Sequence, residues 1–239
     1  MALTYTQYVI SLANLMALPS FTDPYFQIDL PNIIDDAELR IYRELDLLNT
    51  SVRDDTFTLS AGIRNFHYPS TNGTFVVTDE FNVITPSSAT TADGGNRNAL
   101  TPTSEEMLNM LWPSVSGSTV PQYFAMVDQG LAIVGPWPDA NYRVEIVGTI
   151  RPAPLSSSTV TTLLSVYFPD LFLAASMVRA AGYMKNYGSA VDDPKMAVTW
   201  EGHYQTLKAS ADVEENRKKF TGPAWSGKEP APMVNPPRI

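Results

Sequence analysis

Residues 121–152 constrain the fold more than any other part of this chain. Three apolar, β-favouring runs stand there in close order: Tyr-Phe-Ala-Met-Val from Tyr123, Leu-Ala-Ile-Val from Leu131 and Tyr-Arg-Val-Glu-Ile-Val from Tyr142. Two turn signals separate them. One is Gln129-Gly130, where glycine can supply a positive φ; the other is the Pro-, Asp- and Asn-bearing stretch 136–141. The sequence on both sides of this block has helical spacing. A chain that is helical at both ends and β in the middle implies two structural layers built from one thread. Nothing in the block is equipped for chemistry, so it reads as scaffold.

The helical flanks follow from side-chain period. Residues 4–16 place Tyr5, Tyr8, Val9, Leu12, Leu15 and Met16 at helical intervals, with Thr4 or Thr6 available as N-cap. After a loop at 19–31, residues 32–48 carry Ile33, Ile34, Ala37, Ile41, Leu45 and Leu48 at steps of three and four, an amphipathic helix. Asp35, Asp36 and Glu38 sit in its first turns, where the helix dipole favours negative charge, and Arg40 and Glu44 are spaced to pair. Beyond the β block, residues 159–187 are helical with a kink or break at Pro169, and 171–183 are apolar on nearly every side, as befits burial between helices. A turn at 188–194 leads into a last helix over 195–219. Its apolar positions are Met196, Val198, Trp200, Tyr204 and Leu207, with Asp192 and Asp193 before it and Lys218 and Lys219 at its end.

From Thr56 the period drops to two. Residues 56–60 and 65–68 alternate around Ala61-Gly62, which predicts a hairpin; 75–78 and 80–85 continue the sheet after a turn at Thr71-Asn72-Gly73-Thr74. Residues 86–98 hold Ser, Thr, Ala, Asp and Gly with almost no apolar side chain and read as a long exposed loop, a kind that is usually functional or mobile. A short helix over 103–111 follows, with Thr103 as N-cap and Glu106 closing a capping box. The expected organisation is 1–52 with 155–220 as one helical body, 53–154 as a β domain, and 221–239 as a tail. That tail has five prolines and two glycines in nineteen residues, together with Trp225, Met233, Val234 and Ile239 and little charge. Neither a helix nor a central strand suits it, and its apolar side chains suggest a segment that orders by docking on another protein.

Composition narrows the function. At 239 residues the chain can bury a real core, yet charged residues are only 17% against the usual quarter, so much of its surface is expected to be covered by partners. A net charge of −9 argues against gripping a phosphate backbone, which takes clustered Lys and Arg, while an acidic wall would repel DNA and let it slide. The absence of cysteine removes disulfides, thiolate nucleophiles and Cys-ligated zinc, and favours folding in the cytoplasm. The N-terminus lacks the basic region of a signal peptide, and the longest apolar stretch, 163–177, is interrupted by Pro169-Asp170 and too short to cross a bilayer.

The chemical inventory is sparse. His67 and His203 have no ligand spacing around them. Asp54-Asp55, Asp192-Asp193 and Glu214-Glu215 are adjacent carboxylates of the kind that cap and solvate. No Gly-x-Ser-x-Gly or His-Glu-x-x-His occurs, and Gly94-Gly95-Asn96-Arg97 follows no strand and lacks a phosphate-loop ending. Tyr123, Phe124, Trp137 and Tyr142 could line a sugar site, though such aromatics more often pack across strands. The expectation is no catalytic, cofactor-binding or metal-ligating residue.

Thr4-Tyr5-Thr6-Gln7-Tyr8-Val9, then the run from Leu30-Pro31-Asn32 to Arg43-Glu44-Leu45, resembles the opening of head-to-tail adaptor proteins of tailed bacteriophages. Pro121-Gln122-Tyr123-Phe124, Ile133-Val134-Gly135-Pro136-Trp137-Pro138-Asp139, Tyr142-Arg143-Val144-Glu145-Ile146 and the helical region after them carry the resemblance on to about residue 210. The motifs are short; their order carries the likeness. It implies an α+β fold in which the terminal segments form a helical bundle, the middle an antiparallel β-sandwich or barrel, and the C-terminal tail an extended strip. It also implies a structural, non-enzymatic virion protein. Copies would form a ring, commonly of twelve, under the portal protein, extending the DNA channel without sequence-specific DNA binding and offering a platform to tail or nozzle proteins. On that reading Trp225, Met233, Val234, Arg238 and Ile239 dock on the portal, and the loop residues Asp93, Gly94, Gly95, Asn96 and Arg97 face the tail. The alternative is a tail-associated carbohydrate-binding or hydrolytic β module, centred on Trp137.

Overall fold

The computed structural model describes residues 2–18, 20–68, 70, 73–183 and 195–220. The predicted turn at 188–194 and the tail at 221–239 lie outside the described residues. The described chain is a mixed α+β protein with six α-helices and two four-stranded sheets. It divides into two compact units, Met1–Leu48 with Leu163–Ile239, and Asn49–Thr162.

In the helical unit, α1 (Tyr5–Leu15) opens on the capping box that Thr4 and Gln7 make between them. Helix α2 spans Pro24–Glu44 and so begins well before residue 32, within what the sequence reads as loop. Asp23 accepts hydrogen bonds from the Tyr25 and Phe26 amides, and Pro24 takes the first helical position, where a missing N–H is harmless. Pro31, read as the last residue of that loop, lies inside the helix. Phe26 and Leu30 extend the buried stripe of Ile33, Ile34, Ala37 and Ile41. Burying two such side chains contributes about 1.5–3 kcal/mol each, which offsets the ~3 kcal/mol of an interior proline. The helix ends at Glu44 rather than residue 48, because Leu45 turns extended and buries itself off the helix axis.

After the β unit, α4 (Leu163–Tyr167) and α5 (Pro169–Tyr183) are separated at Phe168, the break expected at Pro169. Helix α5 buries Leu171, Phe172, Ala174, Ala175, Met177 and Ala180 and touches α1, α2, α4 and α6 (Met196–Phe220). Tyr8 of α1 stacks on Phe172 at 4.4 Å and shares a hydrogen bond with the buried Ser176 hydroxyl. Helix α6 buries Tyr204, Ala211 and Glu215. Val198, read as an inward position, is instead 73% exposed; six positions before Tyr204, it lies about 120° round the helix.

The β unit contains β1 (Ser51–Leu59), β2 (Asn65–His67), β3 (Thr74–Thr85), β4 (Asn96–Ala99), β5 (Thr101–Pro102), β6 (Tyr123–Asp128), β7 (Leu131–Gly135) and β8 (Tyr142–Arg151). The sheets run β1-β8-β3-β4 and β2-β7-β6-β5, antiparallel except for the short β5–β6 pairing. They are two open sheets, so the barrel alternative falls. The hairpin expected around Ala61-Gly62 is also absent: β1 pairs with β8 and β2 with β7. The turn is real, with Gly62 at φ 69°, but it hands the chain from one sheet to the other. The two runs at 75–78 and 80–85 are one strand, β3, with register shifts between Phe75 and Val77 and between Thr78 and Glu80. At Gln129-Gly130 the turn is made by the Asp128 carboxylate accepting the Gly130 amide at 2.6 Å, and the described glycines with positive φ are Gly62 and Gly73, not Gly130.

Phe66 and Val134 of one sheet and Phe81, Val144 and Ile146 of the other join one buried cluster, with Phe81 5.1 Å from Phe66 and 5.3 Å from Phe124. Helix α3 (Glu105–Leu111) sets Leu108 against Ala125 and Ile133. Its cap is Ser104, whose hydroxyl accepts the Met107 amide, one residue after the expected Thr103.

Candidate docking loop

Strand β8 turns Tyr142, Val144, Ile146 and Ile150 into the core, which leaves Arg143, Glu145, Val147, Thr149 and Arg151 on the opposite face. Such a face is ordinarily hydrated. Glu145, however, is 0% exposed. A buried carboxylate has to be paired and hydrogen-bonded. Arg97 of β4 supplies Nε at 2.8 Å and Nη2 at 3.1 Å, and Asn82, directly opposite on β3, donates Nδ2 at 3.2 Å. Arg53 of β1 lies at 3.5 Å. The Arg97 hydrogen bonds, opposed by desolvation and aided by the Arg53 charge and Asn82, hold the Glu145 carboxyl below its ordinary range.

The same arginine, near the end of the 86–98 segment, reaches back to its middle. Its Nη2 donates to Asp93 at 2.6 Å, which depresses that carboxyl as well. The segment is not the structureless loop its composition suggests: Ala92–Gly94 form a 3-10 turn and Asn96–Ala99 the edge strand β4. In β1, Asp54 pairs with Ile146 and Phe57 with Val144, so Asp55 and Thr56 together face Glu145 as a β-bulge. The Asp55 carboxylate accepts the amide of Ala92 at 3.0 Å, and Ala92 itself is buried. Gly95 lies so close to β3 that a Cβ there would meet Ile84 Cγ2 at 2.6 Å and the Thr85 carbonyl oxygen at 2.7 Å.

Of the expected platform residues, Asp93 and Gly94 thus lie in the turn, Gly95 beneath it, and Asn96 and Arg97 on β4. The expected docking residues Trp225, Met233, Val234, Arg238 and Ile239 lie outside the described residues. Sequence reasoning did not single out Glu145 or Asn82; Asp55 was read as one of an adjacent carboxylate pair that caps and solvates, and it does accept a backbone amide, that of Ala92. The one available signal was an acid within Tyr-Arg-Val-Glu-Ile, which on a strand reads as an ordinary outward polar position.

The other candidates are occupied structurally. His67 and His203 are both exposed, one in each unit, and His203 sets its ring edge-on to Trp200. Asp54 accepts the Thr56 amide and hydroxyl, while Glu215 accepts the Leu48 amide and, like Glu214, pairs with Lys218. Trp137 donates its indole N–H to the Trp112 carbonyl at 3.0 Å and packs beside Arg64, and Trp112 stacks on Tyr123 at 5.7 Å. Tyr142 donates to Asp139 at 2.7 Å, and burial together with that acid pushes its phenol up to about 12. Among the described residues no group of three His, Cys, Asp or Glu could hold a metal ion, and no helix is long and apolar enough to cross a membrane.

The chain matches the family model for SU10 adaptor protein over residues 3–224 and belongs to that family of phage head-to-tail adaptors. The family is one of structural virion components, which implies contacts with portal and tail proteins and assembly of several copies. Comparison with curated proteins gave no match.

Proposed function

We propose that this chain forms a ring beneath the portal, of twelve copies, that extends the DNA channel and gives tail proteins their platform. The observation that carries the reading is family membership over residues 3–224, nearly the full length. Several features support it. Large apolar side chains stand exposed at Tyr25, Ile28 and Met110, as surfaces covered in an assembly would. The charge of −9, multiplied round a ring, suits a channel that DNA must pass without sticking.

In this reading the helical unit is a bundle made by 1–52 with 155–220. The β unit, 53–154, is a sandwich whose shared core draws on both sheets. Residues 221–239 are an extended strip that docks on the portal through Trp225, Met233, Val234, Arg238 and Ile239, with Arg238 available to an acidic partner. The loop at 93–97 faces the tail. The protein is not an enzyme, folds in the host cytoplasm and ends in the virion at the head–tail junction.

The test is to mix the purified protein with portal rings and weigh the product by native mass spectrometry. The full chain should give a portal complex with a fixed number of copies, and residues 1–220 alone should give none. A full-length chain that ignores the portal overturns the ring reading; a truncated chain that still binds overturns the docking tail.

A further inference from the structure

We propose that Glu145 is a positioning residue for a preformed docking loop, residues 86–95, which meets the adjoining tail protein as a rigid projection. The contact with the tail rests on the platform reading above; the rigidity does not. A buried acid on the outward face of a sheet calls for an explanation, because apolar side chains in such a place are often as stable or more so. What a buried carboxylate adds is directionality. Glu145 ties β3 through Asn82, β4 through Arg97 and β1 through Arg53. Arg97 then passes the tie to Asp93 inside the loop.

A second anchor is independent of the first. The bulge in β1 stands opposite Glu145 and brings Asp55 to the amide of Ala92. Bulges of this kind re-aim a side chain at the expense of regular pairing. Two carboxylates from two strands therefore act on one 3-10 turn, Asp55 directly on the Ala92 amide and Glu145 through Arg97 on the neighbouring Asp93 side chain. Gly95 removes the Cβ that would otherwise lift the turn off β3.

Once the turn is pinned, Ser87, Ser88, Thr90, Thr91 and Asp93 remain exposed. This is a short display of hydroxyls with one carboxylate, suited to hydrogen-bonding a polar partner surface. A loop held in shape before contact loses little conformational entropy on binding. Its Ser/Thr-rich sequence could not hold that shape unaided.

Hydrogen exchange on the full chain, read by mass spectrometry, tests the positioning. In E145Q the amides of residues 86–97 should exchange at least tenfold faster, while segments from β6, β7 and α5 stay as in the wild type. D55A removes the anchor on the Ala92 amide without touching the buried acid; it should give the same local rise and stands in if E145Q does not fold. Binding of the portal–adaptor complex to purified headless tails of the same phage should weaken at least tenfold in both variants. Loop exchange that is unchanged by either substitution, or already unprotected in the wild type, overturns the positioning. Faster exchange with unchanged binding to tails leaves the positioning standing and overturns the platform reading.

Discussion

Replacing Arg40 by methionine should loosen α6 from α2 by an amount that follows from the geometry. The guanidinium donates to Glu201 through Nη1 at 2.7 Å and Nη2 at 2.6 Å, and to Glu44 through Nε at 3.0 Å. It also lies 4.1 Å over the ring of Tyr204, whose hydroxyl donates to Glu44 at 3.0 Å. The side chains of Arg40 and Glu201 are 27% and 37% exposed, so solvent screens the pair. A well-formed fork in that setting is worth about 1 kcal/mol, the upper end for surface pairs. The cation–π contact adds about 0.5–1 kcal/mol. Methionine keeps the apolar stem, so R40M should lose about 1.5–2 kcal/mol of stability. Lysine keeps the charge but neither the fork nor the stack, and should lose about 1 kcal/mol.

The assay is urea unfolding followed by helical circular dichroism, run as a cycle of R40M, E201Q and the double variant. A coupling above about 0.5 kcal/mol is expected, and additivity within about 0.3 kcal/mol would refute the argument. Acid offers a second check. Arg40, with help from Gln205, holds the Glu201 carboxyl down to about 2 against an ordinary 4.5. A carboxyl depressed on folding contributes stability that is complete above its unfolded value and is lost as pH falls through the folded one. The gap between wild type and R40M should therefore be full at pH 6 and narrow steadily below about 4.5. A gap as wide at pH 2.5 as at pH 6 would assign it to packing rather than to the ion pair.

Three further outcomes follow. Y8F removes the hydroxyl that bonds Ser176 and leaves a buried polar group unpaired, so thermal unfolding should report a loss of about 1–3 kcal/mol; a neutral result would mean that Ser176 has another partner. G95A forces a Cβ against Ile84 and the Thr85 carbonyl and should lose about 1–3 kcal/mol, with shifted amide resonances confined to β3, β4 and the turn; wild-type stability would show that the turn can move off β3 without cost. F81A opens the core that the two sheets share and should lose about 3–5 kcal/mol in chemical denaturation, with near-ultraviolet dichroism flattened; a loss below about 1 kcal/mol would place Phe81 outside that core.

What could be read from the chain and what could not divide along a physical line. Helices α1 and α5 were legible because a 3.6-residue period, a Thr4 cap and a Pro169 break are local signals. The start of α2 was not: Pro31 is a strong local stop, and only the burial of Phe26 and Leu30 by other elements overrides it. The turn at Ala61-Gly62 was legible as a turn, but its chemistry does not say which sheet the next strand will join. That choice is made by β8 and β7, far along the chain, where Leu59 meets Tyr142 and Asn65 meets Ile133.

The loop at 93–97 was singled out from the sequence, but what holds it in shape was not, for a related reason. Glu145 has the pattern of a solvated residue, and its burial exists only after β1, β3 and β4 have assembled around it. Residues 86–95 have the composition of a loop without structure, and their order is supplied from outside, by Arg97 on β4 and by Asp55 in the β1 bulge. The shape of the loop is thereby separated from its sequence. On the platform reading proposed above, the exposed serines and threonines meet the partner, while the residues that hold the loop in place sit in the sheet. On that reading a substitution at Thr90 or Thr91 should weaken binding to tails and leave loop hydrogen exchange unchanged, whereas one at Glu145 should change both.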